Sequence, residues 1–233
     1  MIFDNKKVVE LVIKEVEHLR DTSPTAFSLL SSLSSRGELT IFGGAVREII
    51  VFGEMNEARD IDIVVSVPRN EDLLPWFENL SYRRTRFGGF HYMADGVTLD
   101  IWALGETWAF KEGLLKASVG NLPRSVFLTI DAVAVSISSR TVYEYRFFES
   151  LASKRLDIVL AKNPFPALAV LRSVVLRRRY DLKFSKELRD YISYFWRNSK
   201  DPLTELDEVQ ISHYGSRLLR KDDLEEEIES CLA

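Results

Sequence analysis

A chain of 233 residues, 46% hydrophobic and 28% charged, is long enough to bury a substantial core as one large domain or two small ones. A net charge of −4 gives no global case for nucleic-acid binding, so any such contact needs a local basic patch, and the single cysteine, Cys231, excludes a disulfide framework and a multi-thiolate metal site. Met1-Ile2-Phe3-Asp4 leads into charge, and no apolar run reaches membrane-spanning length, so the expectation is a cytoplasmic protein with no membrane partner.

Residues 5–19 carry Val8, Val9, Leu11, Val12, Ile13, Val16 and Leu19 at helical spacing, which predicts an amphipathic helix broken before Pro24. A short helix is expected over 25–33, a strand over 39–42, a helix over 45–52 and a strand over 60–65 ended by Pro68. Residues 72–80 read as helical in composition, with Pro75 tolerable only in a first turn. In "FHYMADGVTLDIWAL" the pair Asp95-Gly96 stands between two alternating runs, the signature of a two-residue hairpin. Residues 127–137 predict a further strand, although so Ala/Val-rich a run also suits a buried helix. Helical spacing then begins at Phe147, with helices over 167–180 and 186–197 and an acidic, solvated tail. The expected class is α+β: a small mixed or antiparallel sheet with flanking helices over 1–140, followed by a helical region over 141–233.

The stretch "IFGGAVREII", followed by "DIDIVV", carries the chemistry. Side chains at i and i+2 of a strand share a face, so Asp60 and Asp62 point one way while Ile61, Ile63 and Val65 face the core. Two adjacent carboxylates repel unless a cation lies between them, and Mg²⁺ is commonly held by one or two carboxylates plus substrate phosphates. Asp100 alternates with Leu99 and Ile101 in the same manner. Three such carboxylates on neighbouring strands suit a two-metal phosphoryl-transfer site. Gly43-Gly44, between a strand and a helix, allows close backbone approach to phosphate at a helix N-terminus. Arg47 in the first helical turn either contacts that phosphate or locks the loop. Each feature alone has a plainer reading, as a solvated strand end or a tight turn.

Together, "GGAVRE" and "DIDIVV" resemble the head-domain signature of the polymerase-β-like nucleotidyltransferases, in particular the bacterial poly(A) polymerase and CCA-adding tRNA nucleotidyltransferase family. Gly43, Gly44, Ala45, Val46 and Arg47 match as they stand, and Glu48 takes an acidic place. A longer loop around residues 53–58 accounts for the gap to Asp60. The resemblance implies that Asp60, Asp62 and Asp100 are metal-binding and catalytic, and that Gly43, Gly44 and Arg47 bind nucleotide. "LPRSVFLTIDAVAV" is similar to a ribose-contacting segment, with Thr129 and Ala132 matching and Asp131 where Asn is usual. "NPFPALAVLRSVVLRRRYDLKF" is similar to the start of the family's helical neck, where Leu171 and Arg172 match its end. Thr129, Asp131 and Arg172 are thereby implied as nucleotide contacts.

The function so implied is Mg²⁺-dependent transfer of a nucleoside monophosphate from an NTP to an acceptor hydroxyl, with the 3′ end of a tRNA-like RNA as acceptor. Two alternatives follow from the altered ribose and base segments: a non-catalytic nucleotide- or RNA-binding module serving a partner protein, and transfer to a protein or small molecule. Arg172, Arg177, Arg178 and Arg179 form a basic cluster that suits either a phosphate contact or a solvated face. Arg83, Arg84 and Arg86 suit either a triphosphate cleft or an edge strand. Trp102 shares the face of Asp100 and reads as a base platform or as core. His91 and His213 lack metal-ligand spacing and read as structural.

Overall fold

The computed structural model describes residues 4–55, 60–67, 72–85 and 87–232, and the chain forms two units: Met1–Val126 with Asp131–Phe147, and Phe127–Ile130 with Phe148–Ala233. Arg86, Pro68 and residues 56–58 of the loop expected over 53–58 lie outside the described residues.

The first unit opens with α1 (Asn5–Thr22), whose first turn is capped by the Asp4 carboxylate accepting from the Lys6 N–H. It buries Val8, Val12, Val16 and Leu19, a stripe at three- and four-residue spacing. Pro24 then starts α2 (Pro24–Ser34) at a position where its missing N–H costs nothing. There follow β1 (Glu38–Phe42), α3 (Gly44–Phe52), β2 (Ile61–Ser66), β3 (Tyr82–Arg84), β4 (Phe90–Ala94), β5 (Val97–Ala103), the short α4 (Trp108–Lys111), β6 (Val133–Ser136) and β7 (Thr141–Glu144). The seven strands form one sheet in the order β3-β4-β5-β2-β1-β6-β7. Every neighbouring pair is antiparallel except β2 and β5, which run parallel. The expected mixed sheet with flanking helices is what the chain builds.

One face of the sheet carries Leu39, Ile41, Ile61, Ile63, Val65, Leu99 and Ile101, all buried, and α3 packs on β1, β2 and β6. Part of the opposite face is closed by a second cluster of Val64, Phe110, Val119, Leu122 and Ala134.

Three sequence expectations need correction. The helix over 72–80 is only a single 3₁₀ turn, Leu74–Trp76, because Pro75 lacks the N–H a longer helix needs there. The strand over 127–137 shrinks to β6, preceded by a 3₁₀ turn over Thr129–Asp131. That turn aims Asp131 at Arg47 instead of continuing the ladder. The acidic tail is not solvated throughout: α9 (Lys221–Leu232) fully buries Leu224 and Ile228, one helical turn apart.

In the second unit, α5 (Phe147–Ser153) leads to β8 (Arg155–Leu156), α6 (Pro166–Tyr180), β9 (Lys183–Phe184), α7 (Lys186–Asn198), α8 (Pro202–Tyr214) and α9. β8 and β9 pair in parallel. Ser185 caps α7 by accepting from the Leu188 N–H, and Asp201 caps α8 by accepting from Thr204. Leu171, Val174, Leu188, Ile192 and Leu206 join Leu224 and Ile228 as fully buried residues of these helices. No helix among the described residues is long and apolar enough to cross a membrane.

Candidate active site

β1 runs straight into the turn that starts α3. Gly43 sits at φ 70°, ψ −131°, a conformation closed to side-chain-bearing residues. Its N–H donates to the Val133 carbonyl, and its own carbonyl accepts from the Arg47 N–H as the first bond of α3. The turn lies against a carboxylate: a methyl group placed on Gly43 would stand 3.6 Å from Oδ2 of Asp62. The glycine pair and the aspartate strand therefore meet in space, with the N-terminus of α3 at the same place.

The strand ladder supplies the rest. Phe42 is in register with Asp62, Asp62 with Asp100, and Asp100 with His91. Residues in register share a face, so these four side chains form a row across β1, β2, β5 and β4. Like-charged carboxylates on adjacent strands repel each other, and a cation held between them relieves that repulsion. Asp60 is half-buried immediately before β2, two residues from Asp62. His91, which sequence reasoning set aside, places Nδ1 2.6 Å from Oδ1 of Asp100. The signal for it was present: a two-residue turn at Asp95-Gly96 pairs 94 with 97 and hence 91 with 100.

One step along the same face stand Val64 and Trp102, also in register. The Trp102 indole lies on Gly89, where a methyl group would fall 2.2 Å from Nε1, so only glycine permits this seat. Trp102 meets Phe42 edge-on at a ring separation of 6.4 Å. It is half-buried and borders the carboxylate row.

Arg47 and Asp131 are brought together, but with each other. The Arg47 guanidinium, 7% exposed, pairs with the Asp131 carboxylate and with Glu48, which are 6% and 2% exposed. This buried pairing ties the first turn of α3 to the 3₁₀ turn before β6. Thr129 and Arg172 belong to the second unit. The Thr129 hydroxyl accepts from the Asp157 N–H and shares a hydrogen bond with Ser150. Arg172 is half-buried on α6. Arg177 on the same helix pairs with Glu227, whereas Arg178 and Arg179 are exposed. Arg84 lies over the Phe90 ring and donates to the Gly88 carbonyl at the sheet edge.

Among the described residues no group of three or more His, Cys, Asp or Glu side chains is placed to hold a metal ion. The donor set is instead two carboxylates in register on one face, Asp62 and Asp100, with Asp60 two residues earlier in sequence. That set suits a hard divalent cation whose remaining ligands are water and substrate phosphate.

No protein-family model matches the sequence, and no curated protein matches it. Solved structures do. The Thermotoga maritima CCA-adding enzyme complexed with tRNA is similar over 96% of this chain and 53% of its own, at 16% identity and a TM-score of 0.63. A tRNA-processing enzyme in an apo form is similar over 92% of this chain and 56% of its own, at 19% identity and a TM-score of 0.59. The Bacillus stearothermophilus CCA-adding enzyme in complex with CTP covers 79% and 47%, at 18% identity and a TM-score of 0.56. The chain thus has the fold of the CCA-adding nucleotidyltransferases and spans about half the length of these relatives.

Proposed function

We propose that the chain transfers a nucleoside monophosphate from an NTP to an acceptor hydroxyl, releasing pyrophosphate. The carrying observation is the register of Asp62 beside Asp100, with the Gly43 turn against Asp62. Asp60, Asp62 and Asp100 would hold Mg²⁺, which supplies charge neutralisation of the triphosphate and of the departing pyrophosphate. Gly43 and Gly44 let the backbone approach the phosphates at the start of α3. Arg47, through Asp131, holds that turn in place. The acceptor oxygen attacks the α-phosphorus, the bond to pyrophosphate breaks, and Asp100 would draw off the hydroxyl proton. The 3′ end of a tRNA-like RNA is the acceptor. The fold shared with enzymes solved with CTP and tRNA supports this reading.

The test is to incubate the chain with each α-labelled NTP, Mg²⁺ and total RNA, then to locate the label. Labelled RNA in the wild type, lost in Asp62→Ala, is the expected result. Label on protein or a small molecule would keep the chemistry and move the acceptor.

A second reading, a nucleotide-binding module without catalysis, is favoured by one observation. Arg47, Asp131 and Thr129 are all engaged by neighbouring protein groups. Bound nucleotide with no transferred label would establish it.

A further inference from the structure

Of the three histidines, His18 lies on α1 and His213 on α8, whereas His91 belongs to the carboxylate row. Its ring Nδ1 is 2.6 Å from Oδ1 of Asp100, with the two side chains 25% and 16% exposed. Asp100 is flanked on one strand by His91 and on the other by Asp62. An ionised carboxylate has acceptors only, so the proton in this hydrogen bond sits on Nδ1 and selects that tautomer.

We infer that His91 is a positioning residue for Asp100: its Nδ1–H fixes the carboxylate's orientation beside Asp62, so that the pair is preset for a divalent cation. A freely rotating carboxylate would turn away from its like-charged neighbour, and ordering it would cost part of the binding energy. Hydrogen bonding from His91 to one oxygen restricts that freedom. This rests on the reading of Asp62 and Asp100 as the cation site. Partners that orient metal ligands in this way typically contribute about 10–100-fold to metal affinity.

The experiment is Mn²⁺ titration of the full chain, with free ion followed by electron paramagnetic resonance. His91→Phe keeps a ring and removes the donor, and His91→Asn keeps an N–H donor. The expected result is a loss of about tenfold or more in His91→Phe, and a loss under about threefold in His91→Asn. Wild-type affinity in His91→Phe, or a wild-type chain whose Mn²⁺ binding does not depend on Asp100, overturns the inference. A second readout needs no variant at His91. In the ¹⁵N-histidine-labelled wild type, His91 should show the Nδ1–H tautomer, and its signals should broaden at substoichiometric Mn²⁺ before those of His18 and His213. An Nε2–H tautomer, or His91 signals untouched by Mn²⁺, overturns it equally. Mn²⁺ results as expected with no nucleotidyl transfer would sink the enzymatic reading alone. Unchanged affinity in His91→Phe with transfer intact would sink only the positioning role.

Discussion

Asp62 and Asp100 occupy the same position on two neighbouring parallel strands, so their carboxylates share one face of the sheet. Two carboxylates so placed repel each other, and a cation between them relieves that repulsion. Asp62→Asn should therefore stabilise the metal-free protein by about 1 kcal/mol, a rise of roughly 2–4 °C in midpoint. The same change should abolish any rise in midpoint on adding Mg²⁺. Thermal melts with and without Mg²⁺ check both; a destabilised metal-free variant would count against a preset cation site.

Arg47 stands between Asp131 and Glu48 with all three buried. Arg47→Met should destabilise by about 3–5 kcal/mol, since it strands buried carboxylates without their partner. Pairing it with Asp131→Leu should recover a large part of that loss. Urea denaturation of the single and double variants gives the coupling directly.

The two glycines of the turn differ in what they tolerate. Gly43 has a positive φ, so Gly43→Ala should cost about 1–3 kcal/mol in backbone strain. At Gly44 the nearest atom to an added methyl group would be Arg47 Nη2 at 3.5 Å, an ordinary contact. Gly44→Ala should fold normally and show its effect in nucleotide affinity, measured by calorimetry.

In the second unit, Arg217 grips Asp207 with two hydrogen bonds of 2.7 and 2.9 Å. The guanidinium holds the Asp207 carboxyl below its usual value of 3.8. A lowered folded value means the pair stabilises above that usual value and loses its contribution as pH falls through the lowered one. Asp207→Asn should flatten the acid limb of the stability curve below about pH 5, with little further change in that limb when Arg217 is also removed.

Much of the site was legible because its elements obey short-range rules. The positive φ of Asp95 and Gly96 is what a two-residue hairpin turn demands. From that turn alone the opposition of His91 and Asp100 follows by counting, although His91 was passed over for want of metal-ligand spacing. The parallel pairing of β2 with β5 was beyond such counting. Two strands and a turn separate them in sequence, and only the closed sheet brings Asp62 to Asp100. Asp131 was misplaced on a strand because "LTIDAVAV" alternates poorly between helix and strand patterns, and a buried ion pair decided the matter. Leu224 and Ile228 were overlooked for a related reason. Acidic neighbours mask an apolar pair that becomes visible only when α9 is seen packed with α7 and α8.

The most direct measurement is label transfer from α- and γ-labelled NTP in wild type, Asp62→Ala and Asp100→Asn. The account predicts acceptor labelling from the α position only, with pyrophosphate released, and a rate loss of about 10²–10³ in each variant. Transfer from the γ position, or wild-type rates in Asp62→Ala, would contradict it.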